Sequence, residues 1–117
     1  MKVEDVEPQS GIPELTVRVV SVAPARIIRT RSGRKTQLTE VLVGDETGTA
    51  VFTLWGFGEG SDIKAGKVLQ ISDGWAKQYK GKIQISLGRS GSYEVLESDE
   101  GLPELSEILD TTRNSED

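Results

Sequence analysis

The stretch VFTLWGFGEGSDIKAGKVLQISDGWAKQYKGKIQISL, residues 51–87, decides how the chain is read. It holds both tryptophans, Trp55 and Trp75, together with Tyr79, Lys77, Lys80 and Lys82. Aromatic residues make up only 5% of the sequence, so their gathering here needs a cause. Alternation at period two marks a strand over 49–55. Ala50, Phe52 and Leu54 share one face of it and Val51, Thr53 and Trp55 the other. Phe52 is therefore core, while Trp55 faces outward beside a glycine-rich break at 56–66. A fourth strand is expected at 68–72 and a fifth at 82–87, with Ile83, Ile85 and Leu87 inward. Trp75 and Tyr79 then flank a lysine-bearing loop, 73–81, where core side chains are out of place.

Exposed rings beside lysines suit a flat, anionic polymer. Nucleic-acid bases stack on aromatic faces for roughly 1–3 kcal/mol each, with little regard to sequence. Trp55, Trp75 and Tyr79 are the candidate stacking residues; Phe57 and Tyr93 are secondary. Upstream, Leu15, Val17 and Val19 alternate with Thr16 and Arg18 as a first strand. Ala23-Pro24-Ala25 interrupts it and Ile27-Ile28 resumes it, so this strand is read as long, bent or bulged. Residues 29–35 form a hairpin loop around Ser32-Gly33, and a second strand follows over 36–43 with Leu38, and Val41 or Val43, inward. Gly44-Asp45-Glu46-Thr47-Gly48 is a tight turn, in which glycine and aspartate are expected to supply positive φ and side-chain-to-backbone hydrogen bonds. Arg26, Arg29, Arg31, Arg34 and Lys35 on this hairpin, with Lys77, Lys80 and Lys82, are the candidate phosphate contacts. Arginine grips phosphate in two places and also stacks, whereas lysine acts as a mobile point charge.

Five short strands, glycine turns and almost no helix predict an all-β chain closed into a five-stranded OB-fold barrel. Closure removes the exposed edges that such a sheet would otherwise carry. An SH3-like barrel fits the same strand count. In an OB barrel, the loops between strands one and two and between four and five border one face, where both basic clusters fall. The 117 residues make one domain with acidic, flexible ends: a lead-in at 1–14, the binding domain at 15–95 and a tail at 96–117. A frayed acidic tail is the simpler reading of the end; Leu105, Ile108 and Leu109, after Pro103, also fit a short helix over 103–110 able to dock a partner.

The overall charge of −5 averages unlike parts. Residues 15–93 carry twelve basic residues against six acids, a net +6, while 94–117 carry one arginine against nine acids, a net −8. Phosphate attraction is local, because salt screens charge beyond about 10 Å. With no cysteine and no histidine, disulfides, thiolate metal sites and the commonest general base are all excluded. No carboxylate pair is placed for acid–base work, and the glycines at 56–60 lack the Lys-Ser/Thr of a phosphate loop. No catalytic residue, cofactor or metal is expected. No apolar run is long enough to cross a membrane, and the N-terminus lacks a secretory apolar segment, which fits a cytoplasmic protein.

Val41-Leu42-Val43-Gly44-Asp45-Glu46-Thr47-Gly48, then Leu54-Trp55-Gly56, Ile63-Lys64-Ala65-Gly66 and Trp75-Ala76-Lys77-Gln78-Tyr79-Lys80-Gly81, resemble the archaeal single-OB-fold single-stranded DNA-binding proteins. That family is related to the human single-stranded DNA sensors and to the OB domains of replication protein A. The resemblance spans roughly residues 15–87. It implies base stacking at Trp55, Trp75 and Tyr79, the last at a position where Phe is also used. It also implies protection of single strands in DNA replication, recombination and repair. Several members carry a long Gly/Arg-rich tail ending in acids; the short acidic tail here departs from that pattern. Replication or repair proteins are the partners such a tail would recruit. An RNA-binding OB domain and an OB-type protein adaptor are the competing readings, since stacking and phosphate contacts do not read the 2′-hydroxyl.

Overall fold

The computed structural model describes residues 1–96, so the tail at 97–117 and the helix expected over 103–110 lie outside the described residues. Six strands follow a short 3-10 turn at Val3–Asp5. They are β1 (Ser10–Val22), β2 (Arg26–Arg29), β3 (Lys35–Asp45), β4 (Gly48–Trp55), β5 (Val68–Tyr79) and β6 (Lys82–Leu96). Their order in the sheet is β1-β5-β6-β4-β3-β2, and a further pairing of β1 with β3 closes five of them into a barrel. β2 stands outside the closure as the outer strand of a hairpin with β3. All pairings are antiparallel except β4 with β6, where Val51 meets Gln84 and Phe52 meets Ile85. This closed five-stranded barrel is the OB architecture expected, and not the SH3-like alternative.

Alternation builds the interior. Leu15, Val17 and Val19 of β1, Val41 and Val43 of β3, and Ala50, Phe52 and Leu54 of β4 all lie in the core. Leu69, Ile71 and Ala76 of β5 and Ile85 of β6 complete it. Ile63, from the loop between β4 and β5, plugs one gap, and Tyr93 packs edge-on against Phe52 with ring centroids 5.7 Å apart.

Several local expectations are corrected. β1 begins at Ser10 rather than Leu15, and Val3, Val6 and Ile12 are buried in the barrel. Apolar residues scattered among acids and prolines carry no readable period, yet the closed barrel leaves an end that they fill. Their entry is held by the Val3 N–H, which donates to Asp45 Oδ2 at 2.9 Å, and by the Glu4 N–H, which donates to Thr47 Oγ1 at 3.0 Å. The first strand is not one bent element: a bulge at Val19–Ser21 and the break around Pro24 separate β1 from β2. The turn at Glu46-Thr47 uses no positive φ. The expected side-chain-to-backbone bond makes it: the buried Asp45 carboxylate accepts from the Thr47 N–H at 2.8 Å and from its hydroxyl at 2.5 Å.

Three further corrections concern β5, β6 and β3. β5 runs through to Tyr79, so Trp75 and Tyr79 sit on a strand and not in a loop. Only Lys80 and Gly81 form the turn, with φ of 51° and 81°, the two positive values a tight two-residue hairpin requires. β6 likewise continues past Leu87 to Leu96, with an irregular stretch between Leu87 and Ser92. Leu38, expected inward, belongs to the opposite face of β3 from Val41 and Val43 and is buried from that side.

Candidate nucleic-acid interface

One backbone irregularity sets the outer face of β5. Up to Ile71 the odd-numbered residues point inward; beyond it Gly74 and Ala76 do. The switch occurs at Asp73, which has φ of 54° and lies where the β5–β6 register shifts, Ser72 facing Ser92 but Gly74 facing Leu87. A bulge inserts an unpaired residue and reverses the alternation beyond it. Without that step Trp75, Lys77 and Tyr79 would point into the barrel. With it they line one outward face, Trp75 41% and Tyr79 57% exposed.

The neighbouring strands continue this face. Trp75 pairs with Ser86, Lys77 with Gln84 and Tyr79 with Lys82 across the β5–β6 hairpin. β4 contributes Thr53, nearly buried, whose hydroxyl donates to the Ile85 carbonyl at 3.2 Å, and Trp55, 54% exposed. Leu38 of β3 lies opposite Trp55 and Arg26 of β2 lies opposite Leu38, so these three form a row across three strands. Strands lie about 4.8 Å apart, which puts the β4 and β5 backbones that carry the two tryptophans roughly 10 Å apart across β6.

Between them lies a cleft of about 210 Å³ lined by Arg26, Leu38, Glu40, Thr53, Trp55, Lys77, Tyr79, Gln84 and Ser86. It thus gathers Trp55, Tyr79, Lys77 and Arg26, four residues singled out from the sequence. Trp75 lies one step farther along the same face. Lys80 Nζ sits 5.4 Å from the centre of the Tyr79 ring, a cation–π contact at the rim. Lys82 is exposed beside it. Arg29, Arg31, Arg34 and Lys35 are exposed on the β2–β3 arm but do not line the cleft. The arm is shaped by Gly33, at φ of 84°, and by the Thr30 N–H donating to the Arg34 carbonyl at 2.8 Å. Arg26 is already engaged, its Nη2 lying 2.8 Å from Glu40 Oε1.

Leu38 and Glu40 were not singled out as site residues. Their signal was present, because placing Val41 and Val43 inward turns 38, 40 and 42 to the other face. What the alternation could not supply was the register that sets Leu38 against Trp55. Of the secondary aromatics, Tyr93 is part of the interior wall. Its hydroxyl donates to Asp62 Oδ1 at 2.8 Å, and burial, aided by that carboxylate, pushes its pKa up to about 12. Phe57 is exposed on the glycine-rich loop. Among the described residues, no group of three or more acidic side chains converges to hold a metal ion, and no helix is long and apolar enough to cross a membrane. The arrangement offers flat rings, mobile cations and hydrogen-bonding side chains, the equipment of binding.

Residues 6–95 match the family described as single-stranded DNA binding protein Ssb-like, OB fold. The chain is 40% identical over 111 residues to the single-stranded DNA binding protein Ssb of Saccharolobus solfataricus, a match covering 95% of this chain and 73% of that one. In fold it is similar to the second OB-fold domain of replication protein A from Methanococcus maripaludis. There the TM-score is 0.69 at 24% identity, over 85% of this chain and 96% of that one. A replication protein A heterotrimer bound to single-stranded DNA is similar at a TM-score of 0.71 and 17% identity, over 98% of this chain and 28% of that one.

Proposed function

This chain belongs to the Ssb-like family of OB-fold single-stranded DNA-binding proteins, and on that footing we propose that it binds single-stranded DNA by stacking bases on Trp55, Trp75 and Tyr79. The family consists of binding proteins and not enzymes. The observation that carries the stacking reading is the bulge at Asp73, which turns Trp75 and Tyr79 of β5 onto the face where Trp55 of β4 is also exposed. Lys77, Lys80 and Lys82 border the rings and contact phosphates. The arm residues Arg29, Arg31, Arg34 and Lys35 extend the contact along the strand, and Arg26 reaches it from the cleft. The barrel, whose first strand starts at Ser10 and whose core takes in Val3 and Val6, forms the binding unit, with the acidic tail an accessory able to recruit replication or repair proteins. Stacking is tolerant of sequence, so the role is coverage and protection of exposed single strands in replication, recombination and repair.

The test is a fluorescence titration with an unstructured oligodeoxynucleotide, using wild type and the Trp55→Ala, Trp75→Ala and Tyr79→Ala variants. Tryptophan emission is expected to be quenched, and each substitution to weaken binding by about 1–3 kcal/mol. Affinity falls with salt as counterions are released, and losing one phosphate contact in Lys77→Ala lowers the log–log slope by about 0.7. Unchanged affinity in all three ring variants would overturn the platform.

A further inference from the structure

Glu40 is the one acid lining the cleft among the described residues, in a domain whose net charge of +6 over 15–93 favours phosphate. A carboxylate there repels the backbone of any strand that enters, so phosphate binding does not account for it. Its side chain is about one-third exposed (32%) and is fixed by Arg26, whose Nη2 lies 2.8 Å from Oε1. Glu40 lies opposite Thr53 on β4, and Leu38, two residues before it, lies opposite Trp55. It therefore stands beside the place where a base stacked on Trp55 would present its edge.

We infer that the Arg26–Glu40 pair reads the edge of the base stacked on Trp55 and favours cytosine over thymine. This rests on the proposal that bases occupy the cleft. An ionised carboxylate has about four acceptor positions and a guanidinium five N–H donors, and their mutual hydrogen bond uses one of each. What remains is an acceptor and a donor side by side, held in register by each other. The cytosine edge carries its N4 amino donor beside the N3 and O2 acceptors and is the complement of that pair. Carboxylates accept from cytosine N4 where proteins read bases directly. In the same placement thymine turns O4 toward the carboxylate and its N3–H toward the guanidinium, setting acceptor against acceptor and donor against donor. The ion pair thus adds a local preference at one nucleotide of an otherwise tolerant track.

The test compares oligo-dC and oligo-dT of equal length, at mildly alkaline pH where oligo-dC stays unfolded, with wild type and Glu40→Gln. Dividing one affinity by the other within each protein, then comparing proteins, cancels the intrinsic stacking of the two oligonucleotides. The dC-to-dT ratio is expected to fall by about fivefold in Glu40→Gln, because the amide loses the fixed acceptor. Arg26→Ala, which releases the carboxylate, is expected to lower the same ratio. A ratio unchanged by Glu40→Gln, or equal tightening toward both oligonucleotides from the lost negative charge, would overturn base reading and leave the stacking platform intact. Absence of binding to either oligonucleotide by wild type would overturn both.

Discussion

Trp75 faces outward because Asp73 adopts a left-handed conformation and drops one residue from the ladder. The sequence shows an Asp-Gly pair at 73–74, which reads as a turn and not as a bulge inside a strand. This is why Trp75 and Tyr79 are legible as exposed while their strand reads as a loop. Tyr93 shows the reverse case, an aromatic whose polar end binds it to the interior wall. Burial and the Asp62 carboxylate both favour its neutral form, so the folded protein holds this proton more tightly than the unfolded chain does. The stabilisation is complete below the ordinary tyrosine pKa near 10 and is lost as pH rises toward about 12. Denaturant titrations across that window are expected to show stability falling in wild type and falling less in Tyr93→Phe. The variant should also be less stable at neutral pH by about 1 kcal/mol, having lost the hydrogen bond. Identical alkaline slopes would remove Tyr93 as the group responsible.

Among the elements, β3 and β4 were readable because β-branched and apolar residues alternate across them without interruption. β5 and β6 were readable only in part. Each contains an irregularity, at Asp73 and across 88–91, and period-two reasoning stops at an irregularity. The N-terminal segment was not legible at all. Val3 and Val6 stand in an acidic, proline-bearing stretch, and their burial depends on an opening that exists only once the barrel has closed. The 3-10 turn packs near Gly48, at the start of β4, while Trp55 ends that strand. At about 3.3 Å per residue the two lie roughly 23 Å apart. The double variant Val3→Ala, Val6→Ala is therefore expected to lose about 2–4 kcal/mol of stability from lost burial and residual cavities. Its oligonucleotide affinity should match wild type at temperatures where both are folded. A matching loss of affinity would mean that the turn reaches the binding face.

For the whole molecule, the decisive quantity is where charge lies and not its sum. The site was legible in the sequence as two clusters, rings with lysines downstream and arginines upstream. Only folding shows that, among the described residues, Arg26 alone of the upstream basic cluster lines the cleft, already paired to Glu40, while Arg29, Arg31, Arg34 and Lys35 stand on an arm. Side chains on a hairpin reach the cleft or miss it according to register, which composition does not encode. Residues 97–117 carry eight acids and one arginine, so removing them takes away a net −7 and turns −5 into +2. Deletion of 97–117 is expected to tighten oligonucleotide binding at low salt, with the difference shrinking as salt screens it. Equal affinity at low salt would mean that the tail does not compete for the basic face. The most direct test of the central claim is a proton NMR spectrum of the protein with an unstructured oligodeoxynucleotide. The account predicts upfield ring-current shifts and base-to-ring Overhauser contacts at Trp55, Trp75 and Tyr79. Shifts confined to the arginine arm and the lysines, with all three rings unmoved, would contradict it.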